Sequence, residues 1–346
     1  MTGTAAVGPP RSLRRHLELP DPAPLLALNF GFARARVLGT ALELGVFTEL
    51  ARAPRSALRL AEDLGCDGEA LRRLLDALAE LGLLEGDDDR GRRPTPLSCA
   101  YLVEGAKAGL GGHFAEVLGQ WAAWGALTEV VRGGRRPASQ PRRGLRPGLF
   151  GGAFTLSVRT AFALVDAVGP KPAGRVLDLA AGGGEWGIAL AASDPEARVV
   201  AHDEPEFLAG VRARVEEFGV AHQFSYQEAD LAHPPRTAEV GFDTVVLAHT
   251  SRFAGPGATA RLVAEAARRL RPGGTLLIAD VLRQPPGSSS LHRSMLDLSL
   301  YVTTVDGGIP EPSALRALME KSGVTPKENA TRGLVTALTG VKQERQ

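Results

Sequence analysis

The stretch GRVLDLAAGGGEWGIAL, residues 174–190, decides the fold, and it reads in two registers. From Gly182 it spells G-x-G-x-x-G through Gly184 and Gly187, the fingerprint of a dinucleotide site. From Asp178 it spells D-x-A-x-G-x-G, an acid running into a glycine-rich turn, as in sites for S-adenosylmethionine. In both registers an apolar strand, RVLDLA, turns through small residues into a helix, EWGIALAASD.

Toward the C-terminus the alternation repeats. ARVVAHD is a second strand and EFLAGVRARVEEFG its helix; FSYQEADL and FDTVVLAH are the third and fourth strands. ATARLVAEAARRLRPGG is a helix closed by Pro-Gly-Gly, and TLLIADVL is the fifth strand. A helix, SALRALMEKSG, and a final strand, LVTALTG, complete a doubly wound α/β domain over 171–346.

Toward the N-terminus the pattern is helical. ARARVLGTALELGVFTELA carries a stripe of Val37, Leu38, Ala41, Leu42 and Leu44 that ends near Gly45. SALRLAEDLG and DGEALRRLLDALAELGLLEG form a helix-turn-helix pair, with Asp67 capping the second helix and Gly82 stopping it. LLEGDDDRGRRPTPLSCAYLV reads as two short strands around a charged turn, so residues 21–105 make a winged helix. A DNA-binding regulator needs a basic face for phosphates. Here Glu69, Asp76 and Glu80 balance Arg72 and Arg73, and three aspartates face three arginines at the wing tip. Residues 106–170 are connecting helices and linker. GGHFAEVLGQWAAWGALTEVVRGG is read as one amphipathic helix, RRPASQPRRGLRPG as the linker, and LFGGAFTLSVRTAFALVDAVG as a helix. Residues 1–20 read as a disordered tail without the apolar core of a secretory signal.

Composition sets further bounds. A chain of 346 residues, 44% hydrophobic and 23% charged, suits a soluble two-domain protein, and a net charge of +1 recruits neither nucleic acid nor an anionic membrane. Two cysteines, Cys66 and Cys99, fit a reducing cytoplasm and no structural zinc. No apolar run is read as approaching the ~20 residues that span a bilayer.

Charge placement separates the two registers. A pyrophosphate sits on a helix N-terminus and is repelled by an acid just ahead of the loop, where Asp178 stands. Asp203, at the end of the second strand, can accept from both ribose hydroxyls. Asp230 ends the third strand, where it can accept from an adenine amino group while Leu231 packs on the ring. Three aspartates at successive strand ends favour S-adenosylmethionine.

VLDLAAGGGEWG, HDEP, EADL, FDTVVLAH and LRPGGTLLI together resemble the class I S-adenosylmethionine-dependent methyltransferases. The front half, VFTELA…LAEDLG…LRRLLDALAELGLLE…PTPLSCAYLV, is similar to the dimerisation domain of small-molecule O-methyltransferases, a group of plant caffeic-acid-type and bacterial antibiotic-tailoring enzymes. The resemblance implies a Rossmann-like domain behind a winged-helix dimerisation domain, a homodimer, and a small aromatic or polyketide-type acceptor. It places cofactor contacts at Asp178, Ala180, Gly182, Gly184, Asp203, Asp230, Leu231, Ala248 and His249. Acceptor contacts fall on Trp121, Trp124, Phe154, Met295, Leu298, Ser299 and Tyr301, and no metal is implied.

Two positions depart from the family. Ala180 replaces the first loop glycine, which a negative φ would tolerate. The family's histidine base, counted from Asp243, falls on Arg252, which cannot accept a proton. His249 and His292 are the remaining candidate bases. Otherwise the acceptor hydroxyl is acidic already, with Arg252 holding its anion. The departure also leaves open non-methylating chemistry on the same fold, or methyl transfer to carbon or nitrogen.

Overall fold

The computed structural model describes residues 19–134, 147–228, 239–285 and 290–344, with side chains from residue 154 onward in the second of these stretches. The chain divides into two compact units, 1–95 and 96–346. Most of the expected N-terminal tail and linker lies outside the described residues.

Among the described residues the first unit is five helices and a wing. Helices α1 (Ala23–Asn29), α2 (Gly31–Glu43), α3 (Val46–Arg52), α4 (Ala57–Leu64) and α5 (Gly68–Glu80) precede the antiparallel pair β1 (Leu84–Glu85) and β2 (Arg93–Pro94). Apolar positions at helical spacing supply the core: Val46, Phe47 and Leu50 of α3, Leu60 of α4, and Leu71, Leu75 and Leu78 of α5 are buried. Asp67 caps α5 by accepting from the Ala70 N–H at 2.8 Å, and Gly82 turns the chain away at φ 70°. Four arginines of this face are internally paired. Arg72 and Arg73 meet Glu69, Arg93 meets Glu85, and the buried Arg92 reaches Asp76 at 2.5 Å.

Ala23–Glu43 is long and apolar enough, by length and composition, to cross a membrane. Asn29, Arg34 and Arg36 interrupt it, so it holds no continuous apolar run of that length. A break at Phe30 divides the segment into two helices.

The second unit opens with α6 (Pro96–Tyr101), where the sequence reading continued the wing. Pro96, lacking an N–H, starts a helix better than it extends a strand. The expected single helix over 111–134 is three: α7 (Gly111–Leu118), α8 (Trp121–Gly125) and α9 (Leu127–Gly133). Helix α10 (Pro147–Val168) leads into the sheet domain.

There the elements run β3 (Arg175–Leu179), α11 (Glu185–Ser193), β4 (Arg198–Asp203), α12 (Pro205–Glu217), β5 (Phe224–Glu228), β6 (Phe242–Ala248), α13 (Ser251–Arg269), β7 (Leu270–Val281), α14 (Leu291–Thr303), α15 (Pro312–Lys321), β8 (Val324–Arg332) and β9 (Val335–Lys342). The seven strands lie in the order β5-β4-β3-β6-β7-β9-β8, parallel except for β9, which is antiparallel to both neighbours. Alternate strand residues face opposite ways. Val176, Val199 and Val246 pack with α10, α11 and α12, while Leu177, Val245 and Ile278 pack with α13 and α15. Strand order reverses between β3 and β6, which opens a crevice beyond their carboxyl ends.

Candidate cofactor and acceptor site

The glycine loop follows β3 into that crevice. Its backbone turns through positive φ at Ala180 (62°), Gly182 (55°) and Gly184 (81°). The condition of a negative φ at Ala180 is therefore not met. Its N–H and that of Ala181 both bond the His202 carbonyl, at 2.9 and 3.3 Å, which holds the left-handed turn against the Cβ clash. At Gly184 a Cβ would come within 2.9 Å of the Val211 side chain, so loop and α12 touch through bare backbone.

Two of the predicted aspartates anchor this loop. Asp178 accepts from the Gly187 N–H at 3.0 Å; burial, and then Glu185, push its carboxyl up, against that hydrogen bond. Asp203 accepts from the Gly182 N–H and the Glu204 N–H, each at 2.8 Å, through its two different oxygens. Burial raises the Asp203 carboxyl to about 6, although both backbone hydrogen bonds pull it down. Each oxygen keeps lone pairs for a ribose hydroxyl. Asp230 and Leu231 lie outside the described residues.

On the far side of the crevice β6 ends in Ala248 and then His249, which has φ 57°. The His249 N–H bonds the Ala279 carbonyl at 2.8 Å. Arg252 lies 2.9 Å from His249 Nδ1 and 2.5 Å from Asp280 Oδ1 through the same nitrogen, and its backbone N–H reaches Asp280 Oδ2 at 3.1 Å. A neutral imidazole has one N–H and one lone pair, and guanidinium only donates. Arg252 therefore takes the Nδ1 lone pair and leaves the ring proton on Nε2, where Glu185 Oε1 lies 3.8 Å away. Trp186 Nε1, 3.4 Å from that Nε2, is then a packing contact. Burial, and then the Arg252 charge, hold His249 well below the usual imidazole value, so its approach to Glu185 is not an ion pair.

Sequence reasoning missed Glu185 and Asp280. The signal for Glu185 was an acid directly after the last loop glycine, at the head of an otherwise apolar helix. Burial raises its carboxyl, while a backbone N–H, Ser157, Arg214 and Arg252 lower it. Its Oε2 is buried with no hydrogen-bond partner among the described residues. Arg252, expected as a free cation for an acceptor anion, is instead joined to Asp280 and His249.

The predicted acceptor residues divide. Helices α8 and α14 are brought together, with Ser299 Oγ 3.4 Å from Gln120 Oε1. Trp121, Met295 and Tyr301 are exposed, and Trp124 and Leu298 are half-buried. Phe154 packs into the core instead, edge-on to Phe218 at 5.6 Å with the Arg214 guanidinium 4.7 Å from its ring. His292 is exposed in the first turn of α14. Among the described residues no group of three His, Cys, Asp or Glu side chains could hold a metal ion.

A glycine loop after β3, a carboxylate ending β4 and a crevice at the switch point define a nucleoside-binding α/β protein. Residues 26–104 match the O-methyltransferase dimerisation domain, and residues 176–274 match a methyltransferase domain. The chain is 29% identical over 293 residues to the 3-hydroxy-5-methyl-1-naphthoate 3-O-methyltransferase of Streptomyces sahachiroi, covering 82% of this chain and 84% of that protein. It is 25% identical over 312 residues to an N,N-dimethyltransferase of Streptomyces rimosus, covering 86% and 89%. Human N-acetylserotonin methyltransferase, solved in complex with S-adenosylmethionine, superposes with a TM-score of 0.78 at 22% identity, over 94% of this chain and 99% of that one. The chain belongs to the class I S-adenosylmethionine-dependent methyltransferases that carry an O-methyltransferase dimerisation domain.

Proposed function

We propose that this methyltransferase transfers a methyl group to an acidic hydroxyl of a small aromatic or polyketide-type molecule, as a cytoplasmic homodimer and without a histidine base. The Streptomyces sahachiroi relative is named for a hydroxynaphthoate, an acceptor of this kind.

The residues present fit the cofactor. The glycine loop turns at the carboxyl end of β3 through positive φ at Gly182 and Gly184, and Asp203 has lone pairs for a ribose diol. Bound S-adenosylmethionine supplies an electrophilic methyl on its sulfonium sulfur. The chain's own part is to hold the loop through Asp178, to bind the ribose through Asp203, and to exclude water from the crevice.

The observation that carries the base-free reading is the occupied Nδ1 of His249. Its lone pair faces Arg252, and both burial and that charge reduce its affinity for a proton. His249 and Arg252 act here as positioning residues that fix the end of β6 against Asp280. The acceptor hydroxyl then has to ionise by its own acidity, and the protein contributes alignment.

A series of phenols of graded acidity tests this. The pH at which the rate rises should track each phenol's own pKa, and His249→Gln should lower kcat by less than about tenfold, since removing a general base typically costs about 10²–10⁴-fold. A profile with one fixed inflection for every phenol, lost in His249→Gln with cofactor affinity unchanged, installs His249 as the base. Amine acceptors belong in the same panel, because the Streptomyces rimosus relative is named as an N,N-dimethyltransferase.

A further inference from the structure

Beyond β7, a cavity of about 620 Å³ opens among Arg283, Gln284, Arg293, Ser294, Asp297 and the segment Ile309–Ser313. The volume is that of a small-molecule site. None of its lining residues belongs to the glycine loop or to the His249 cluster. Val281, Leu300 and Ile309 pack as a separate apolar cluster with Phe253 along one side of it.

Two arginines and two carboxylates line this cavity, but their pairing is uneven. Asp297 accepts from Arg283 at 3.1 Å and from the Ile309 N–H at 2.8 Å, and Glu311 takes the Arg283 Nε at 2.9 Å. Both carboxylates are thus used by Arg283 and by backbone. Arg293 is 93% buried, its side chain forms no ion pair among the described residues, and its Nε has no partner. Its NH2 makes only a 3.5 Å contact with the Leu334 carbonyl. A buried guanidinium without a counter-charge is costly, and a carboxylate reaching Arg293 from the cavity would supply one through a charge-assisted hydrogen bond.

We propose that Arg293 and this cavity form a second small-molecule site that binds a carboxylate. Ser294 and Ser313 offer hydroxyls beside it, and Pro312 and Ile309 offer apolar surface for the body of the ligand.

The probe is 4-bromobenzoate, which has the carboxylate and no hydroxyl to methylate. Soaked into crystals of the full chain, it should place a bromine anomalous peak in this cavity. Calorimetry should show binding to the wild type and about tenfold or greater weakening in Arg293→Met, the loss of a charge-assisted contact. Ser313→Phe fills the cavity and leaves Arg293 in place, so it should also abolish binding if Arg293→Met fails to fold. S-adenosylhomocysteine affinity should be unchanged in both variants. A bromine peak elsewhere, no binding by the wild type, or equal binding by both variants overturns the proposal.

Discussion

At the scale of single residues, the site is built from carboxylates and one imidazole whose ordinary charge states are disturbed by burial. Asp203 has the sharpest consequence. In the unliganded protein its carboxyl stands at about 6, against 3.8 for a free side chain. The folded chain therefore holds this proton more tightly than the unfolded one. The stability it contributes is full below about pH 4 and is lost as pH rises through about 6. Cofactor affinity should run the opposite way, because ribose hydroxyls donate best to the ionised form. Calorimetric titration of S-adenosylhomocysteine should show affinity falling below about pH 6 and approaching a tenfold loss per pH unit. Asp203→Asn should bind more weakly at pH 7 and flatten the profile. A full slope retained in that variant would move the effect to another group.

At the scale of elements, the glycine loop is a backbone device that needs α12 close behind it. Gly184→Ala should weaken the cofactor and lower thermal stability, since the added methyl meets Val211 and φ is 81°. Combining it with Val211→Ala should recover only part of the loss, because relieving the contact leaves the backbone strain. Complete recovery would mean that the strain carries no weight.

This loop was legible in the sequence because small residues between an apolar strand and a helix constrain the backbone locally. The core sheet was legible for the same reason. Strand β8, VTPKENATR, was not: it is an edge strand with Pro326 and a run of polar residues, so it shows no alternating pattern. The breaks between α7, α8 and α9 were hidden because Gly119 and Ala126 sit in a stretch whose apolar spacing stays helical throughout. Asp280 and Glu185 were hidden because their roles depend on partners far away in sequence, Arg252 for one and His249 for the other. The left-handed turn at Ala180 runs against the residue's own preference and is set by the His202 carbonyl.

At the scale of the whole molecule, the first unit leaves Leu25, Leu26, Leu28, Phe30 and Phe32 on its surface, all at least 57% exposed. A contiguous apolar face of this kind needs a partner, and it overlaps the dimerisation domain. Light scattering at micromolar concentration should give a dimer, and Leu28→Asp with Phe32→Asp should shift it toward monomer. A wild-type monomer would remove the homodimer from the account.

The central claim is that the crevice delivers a methyl group to an acceptor hydroxyl, and isotope transfer tests it most directly. The protein is incubated with S-adenosylmethionine labelled with carbon-13 in its methyl group and a panel of hydroxynaphthoates and related phenols, and the products are read by NMR. The account predicts labelled methoxy carbon on at least one acceptor, with S-adenosylhomocysteine formed in equal amount. Tight cofactor binding with no labelled product, or label found only on carbon or nitrogen, would contradict it.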